Sequence, residues 1–180
     1  MSLRVNIRLM SEIEFRDMRI RSPHADDQAR VLRVLDHWWG EFEGSAGSVQ
    51  RALLLPRLFF QHFTTSSFIA ERDATMTGFL IGFLSQSTPE ESYIHFVGVA
   101  PEEQGSGLGR FLYERFFEYS RAHGRSVVRA ITSAGNSGSY AFHTRMGFTA
   151  EPGPAEFEGR PVQPDYDGPG LDRVSFVRRI

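Results

Sequence analysis

The sequence predicts a single mixed α/β domain. Apolar residues alternate with polar ones in several short runs, as in strands. In other runs they recur at helical spacing, and the two patterns interleave along the chain instead of segregating. The 180 residues, 41% hydrophobic and 23% charged, are an ordinary globular mix with enough material for one core.

The elements follow in order. Residues 1–12 show no apolar h-region and are expected as a loose or appended end. "FRDMRIRSP" alternates from Phe15 to Ile20 and stops at Pro23, which predicts a first strand. "HADDQARVLRVLDHWWG" sets Val31, Leu32, Leu35, Trp38 and Trp39 at helical spacing, with Asp26 and Asp27 near the start and Gly40 at the end. "QRALLLPRLFFQHF" is a second helical stretch that Pro56 kinks or restarts, and its apolar crowding suggests burial or a contact between two copies. "SFIAERDATMTGFLIGFLSQ" predicts two strands joined near Asp73-Ala74. "SYIHFVGVAP" predicts a third, apolar on both faces and therefore central, with Tyr93, His95, Val97 and Val99 on one side.

An amphipathic helix comes next, with the stripe Leu108, Phe111, Leu112, Phe116 and Tyr119, closed by Gly124. "SVVRAITS" reads as a strand. "NSGSYAFHTRM" reads as a short helix, N-capped by Asn136 or Ser137 and stopped by Gly147. Residues 152–170 hold five of the nine prolines and predict a long loop. "DRVSFVRRI" closes the chain as a strand. The order is strand, two helices, three strands, helix, strand, helix, loop, strand.

Composition excludes several chemistries. The chain has no cysteine, which removes disulfides, thiolate metal sites and a thiol nucleophile. All 20 basic residues are arginine, so a Schiff-base lysine and the lysine of a Walker A loop are absent. The net charge of -2 gives no field for nucleic acid or anionic lipid. No run approaches the roughly 20 apolar residues of a membrane span. The six histidines show no paired metal spacing. The expectation is a cytoplasmic protein without metal, nucleic-acid or membrane partners.

One stretch concentrates the chemistry. "VAPEEQGSGLGRFLYE" places Gly105, Gly107 and Gly109 where a central strand gives way to a helix. The first amides of a helix have no partner inside it and, with the dipole, attract an anion. Glycine lets a phosphate approach the backbone. Arg110, a cation in the first turn, opposes the dipole unless an anion lies between them. The spacing is neither the dinucleotide fingerprint nor a Walker A loop. A plain tight turn is the competing reading.

With its strand and helix context, "VGVAPEEQGSGLGRFLYE" resembles the acetyl-CoA signature of the GNAT acyltransferase superfamily, and "NSGSYAFHTRMGF" resembles that family's second conserved helix. The resemblance runs from about Phe15 to Ile180 and is dense from Ser92 to Phe148. It implies a GNAT fold of seven strands whose fourth and fifth strands splay apart. It implies acetyl-CoA as co-substrate, its pyrophosphate on Gln104, Gly105, Ser106, Gly107, Leu108, Gly109 and Arg110, and its pantetheine arm on the backbone of Val97 and Val99. Gly98 suits a bulge or close approach there. Asn136, Ser139 and His143 match positions that touch CoA.

The implied reaction is N-acetyl transfer by direct attack of an amine, without an acyl-enzyme. Tyr93 and His95 are candidates for the general base, although a lone histidine on an apolar strand also reads as a hydrogen-bonded core residue. His143 stands where the family often has a tyrosine acid, and Tyr140, three residues earlier on the same helical face, could serve instead. A packed neutral histidine is the competing reading. For the acceptor, a small-molecule or protein amine, Trp38, Trp39, Glu41, Glu43, Glu156, Glu158, Asp165, Tyr166 and Asp167 offer aromatic rings beside carboxylates, which suits a cation. Core or dimer packing is the alternative for the two tryptophans, and a homodimer is among the expectations. The departure at His143 also leaves open a degenerate domain that binds acyl-CoA as a sensor or partner module.

Overall fold

The computed structural model describes residues 13–39 and 44–180; the expectation for residues 1–12, and Glu41 and Glu43, lie outside the described residues. The chain forms two compact units, one reaching to Gly82 and resuming over Phe96–Phe116, the other comprising Phe83–His95 and Phe117–Ile180.

The first unit opens with β1 (Ile13–Phe15) and β2 (Met18–Arg21), followed by α1 (Asp27–Trp38), α2 (Gly44–Leu54) and α3 (Phe59–His62). It continues with β3 (Phe68–Arg72) and most of β4 (Thr75–Leu84). The end of β5 (Glu91–Val99) and most of α4 (Leu108–Ala122) complete it. Strands β1 to β4 pair antiparallel in sequence order. The single strand expected over Phe15–Ile20 is instead a hairpin, with Phe15 opposite Met18 and Arg16 at φ 58° in the turn. The turn falls on Arg16-Asp17, two polar residues in succession where strict alternation would place an apolar one, and Asp is a turn former. The expected junction at Asp73-Ala74 is a two-residue turn with both residues at positive φ, the geometry that matches strand twist. Pro56 does separate two helices, α2 and α3.

The core of this unit gathers Val31 and Leu35 of α1, Leu55, Phe60, Ile69, Met76, Phe79 and Ile81. Beside it, an ion network joins three elements. Arg21 donates to Asp27 at 2.6 Å and to Glu71 at 2.9 Å, and Arg30 reaches both carboxylates at 2.8 and 2.7 Å. Burial by itself would raise the Asp27 carboxyl, but Arg21, the His24 amide and Arg30 bring it down to about 2.

The second unit contains the start of β5, then β6 (Val127–Ser133), α5 (Ser137–Arg145), β7 (Thr149–Ala150), β8 (Ala155–Phe157), β9 (Arg160–Val162) and β10 (Arg173–Arg179). β6 runs parallel to β5 and antiparallel to the whole of β10, which also pairs with β7. The segment 152–170, expected as a loop, contains the β8–β9 hairpin, which turns on Glu158 and Gly159 at positive φ. All three β8 residues are exposed, and strands of three residues are too short for a period to announce them.

Helix α4 buries a wider face than its predicted stripe. Leu108, Leu112, Tyr113, Phe116, Phe117 and Ser120 are buried, while Phe111 and Tyr119 are only partly covered. No helix among the described residues is long and apolar enough to cross a membrane.

Candidate active site

The glycine junction is built from β5, a 3-10 turn over Pro101–Glu103, and the N-terminus of α4. Its hydrogen bonds sort the amides into two sets. The Gln104 amide donates to Pro101 O at 3.2 Å and the Ser106 amide to Glu103 O at 3.1 Å. The Leu108 amide donates to the Ser106 hydroxyl at 3.3 Å. These three are satisfied internally. Among the described residues, the amides of Gly105, Gly107, Gly109 and Arg110 have no such partner, and the helical ladder begins only with Phe111 N donating to Gly107 O. The alternation seen in the sequence is thus an alternation of function: every second residue closes the turn, and each glycine between them presents an N–H.

Gly105 and Gly107 sit at φ +81° and +93°, which an L side chain adopts only at a cost of about 1–2 kcal/mol. A Cβ on Gly105 would meet nothing within 4 Å, so at that position the glycine answers the backbone conformation alone. The loop is exposed at Gln104, Gly105, Gly107 and Arg110, whereas Leu108 is buried and anchors it. Unpaired donors, an exposed surface, a helix of 15 residues behind them and a following cation fit a diphosphate.

On β5, the Ala100 amide donates to Thr77 O of β4 at 2.9 Å. Backbone groups alternate between the two edges of a strand, so Gly98 and Phe96 also turn toward β4, while Val97 and Val99 turn to the opposite edge. The ladder with β6 on that edge covers Glu91–Ile94 and ends at Ile94↔Ala130 among the described residues. Val97 and Val99 therefore keep peptide groups on an edge past the end of the ladder. Gly98 also has a reason in packing that its strand position did not suggest. A Cβ there would lie 2.6 Å from the Phe79 ring and 3.2 Å from Trp38, so the glycine makes room for aromatic packing.

The tryptophans take part in the same packing. Trp38 stacks on Phe79 at 6.3 Å and Trp39 on Phe96 at 5.9 Å, each partly exposed against the core.

In the second unit, Tyr93 stacks on Phe83 at 5.4 Å. Burial, then a hydrogen bond with Tyr166, pushes the Tyr93 hydroxyl far above the usual tyrosine range and favours its protonated form. The structure thereby joins two predicted residues, Tyr93 and Tyr166. Behind them Asp167 accepts from buried Arg173 at 2.6 Å. Asp165 instead organises its own loop, accepting from the Gly170 amide at 2.6 Å. His95 is partly buried, on the same side of β5 as Tyr93.

On α5, Asn136 is the N-cap and accepts from the Ser139 amide at 2.9 Å. His143 is buried, lies flat on Phe176 with centroids 4.7 Å apart, and places Nδ1 2.8 Å from Ser139 O and 3.3 Å from Ser139 Oγ. A carbonyl accepts only from a protonated nitrogen, so Nδ1 carries the hydrogen and Nε2 the lone pair. Burial lowers the pKa of this ring, against the pull of the Ser139 bond, and favours the neutral form. Tyr140 is partly exposed, tilted on Phe176 at 5.4 Å, with the Arg160 guanidinium 5.1 Å from its ring centroid. Arg160 and Arg173 went unnoticed in the sequence, where nothing distinguishes them from the other arginines. No cluster of His, Asp and Glu suited to a metal occurs among the described residues.

Residues 31–148 match the Acetyltransferase (GNAT) family, and the chain belongs to that family. It is similar to mycothiol acetyltransferase of Pseudarthrobacter chlorophenolicus, 34% identical over 110 residues, covering 57% of this chain and 33% of that protein. It is also similar to L-2,4-diaminobutyric acid acetyltransferase of Nocardia farcinica, 30% identical over 122 residues, covering 68% of this chain and 60% of that protein. The match thus spans about a third to three fifths of these relatives' own lengths. The solved structure of diaminobutyrate acetyltransferase EctA from Paenibacillus lautus, in complex with L-2,4-diaminobutyric acid and coenzyme A, shares the fold. Its TM-score is 0.60 at 20% identity, over 89% of this chain and 93% of that one.

Proposed function

We propose that this protein transfers an acetyl group from acetyl-CoA to a primary amine of a small molecule or a protein. The observation that carries the reading is the set of unpartnered amides at Gly105, Gly107, Gly109 and Arg110. They offer the CoA diphosphate its donors, and the Arg110 side chain adds charge. The Val97 and Val99 peptide groups would hold the pantetheine arm, with the Val99 N–H facing the negative charge that develops on the thioester oxygen.

Acetyl-CoA supplies the activated acetyl group. The amine nitrogen bonds to the acetyl carbon, the carbon–sulfur bond breaks, and the nitrogen sheds a proton while the sulfur gains one. We assign proton removal to His95, because imidazole is the side chain suited to it near neutrality and Tyr93 is out of range. We assign proton return to Tyr140 in preference to His143, whose ring is held neutral. Tyr166 and Asp167 are the proposed acceptor contacts. Trp38 and Trp39 serve packing in this reading, and Asp165 serves its own turn.

We read the chain as one cytoplasmic catalytic domain. Any pairing of two copies would draw on α2, where Val49 and Leu53 are exposed. The test is incubation with acetyl-CoA and a panel of amines, following thiol release and product mass. An acetylated amine formed with stoichiometric CoA supports the reading. CoA binding without turnover on any amine would favour an acyl-CoA sensor.

A further inference from the structure

Glu103 is a carboxylate out of place. It stands two residues before the first of the amides that await a diphosphate, and its side chain is only 10% exposed. A buried negative charge there would repel the anion and carry its own desolvation cost. Yet the residue is firmly held. Its amide donates to Ala100 O at 2.9 Å, and its carbonyl accepts from Ser106 N at 3.1 Å, closing the loop.

Its carboxylate pairs with Arg72, at the end of β3 and 31 residues away in sequence. The same guanidinium donates to Asp17 in the β1–β2 turn, at 2.7 Å through Nε and 3.0 Å through Nη2. The hairpin bearing Asp17 also touches the far side of the loop. Phe15 packs tilted against Phe111 of α4, ring centroids 4.6 Å apart, and its Cζ lies 3.8 Å from where a Cβ on Gly107 would stand. Arg72 thus connects the hairpin to the entrance of the glycine loop.

We propose that Arg72 supports acetyl-CoA binding through Glu103: it neutralises a carboxylate that would otherwise stand unpaired beside the amides that receive the diphosphate. The inference rests on the reading above. Exposed ion pairs contribute little, so a merely decorative Arg72 would be dispensable; the buried partner makes it otherwise. Its loss leaves a negative charge beside the anion seat, and removing that charge should undo the damage.

The test compares the wild-type chain with Arg72→Gln, Glu103→Gln and the double variant, by calorimetric titration with CoA and by KM and kcat for acetyl-CoA. Arg72→Gln should weaken CoA binding and raise KM about tenfold or more, with kcat and the KM of the amine held within about twofold. The double variant should recover most of the lost affinity. Glu103→Gln alone, which tests the charge even where Arg72→Gln fails to fold, should bind CoA at least as tightly as wild type. The inference is overturned if Arg72→Gln binds like wild type, if the double variant is as weak as the single one, or if Glu103→Gln binds more weakly. A wild-type chain that takes up no CoA sinks the functional reading itself, whereas CoA uptake indifferent to Arg72 sinks only this inference.

Discussion

The Nδ1 atom of His143 lies 2.8 Å from the carbonyl oxygen of Ser139, one helical turn earlier. That bond fixes the tautomer, and burial against Phe176 keeps the ring neutral against the bond's pull toward the charged form. A buried histidine with a lowered pKa binds fewer protons folded than unfolded. Its contribution to stability is therefore complete above the unfolded value of about 6.5 and is lost as pH falls through the folded value. His143→Phe should give a shallower loss of thermal stability than wild type on acidification below about pH 6.5. Parallel melting curves across that range would contradict this.

Gly105 and Gly107 predict a separation of stability from binding. Gly105→Ala meets no neighbour, so its cost should be conformational, about 1–2 kcal/mol in urea denaturation. Gly107→Val should cost at least as much. In both, CoA affinity should fall about tenfold or more, because the strain is relieved by moving the donors. Unchanged affinity would detach the glycines from the cofactor.

Gly98→Ala should be destabilising without touching the loop. The added carbon would lie 2.6 Å from the Phe79 ring, an overpacking expected to cost about 1–3 kcal/mol. The loss should appear in chemical denaturation, and Phe79→Leu in the same chain should recover part of it. Wild-type stability in Gly98→Ala would show that the ring yields freely.

Tyr93 and His95 share a face of β5 and should part company in kinetics. Tyr93→Phe removes the bond with Tyr166 and should raise KM for the amine, with the pH dependence of kcat intact. His95→Gln should lower kcat by about 10² to 10⁴ and remove the acid limb of the profile. A Tyr93→Phe variant that lost that limb would reverse the assignment.

Much of this was legible in the sequence because it is local. The helix stripes, the Asp73-Ala74 turn, the Asn136 cap and the glycine junction are each set by residues within a few positions of one another. What escaped was either silent or distant. The Arg16-Asp17 turn is marked only by two successive polar residues in an otherwise alternating run, and the β8–β9 hairpin hides in a proline-dense, exposed segment whose only signal is Glu158-Gly159. Ring packing gave Gly98 a purpose that strand position alone did not suggest. The pairs Arg72–Glu103, Tyr93–Tyr166 and Arg173–Asp167 depend on how the chain returns on itself, and an arginine of such a pair looks in sequence like any other.

The most direct measurement is a titration of the ¹⁵N-labelled protein with CoA, followed amide by amide. The account predicts large, saturable shifts at Gly105, Gly107, Gly109 and Arg110, with smaller ones at Gln104, Ser106 and Leu108, whose protons are already engaged. No saturable shift at the three glycines, or a response confined to the engaged amides, would contradict it.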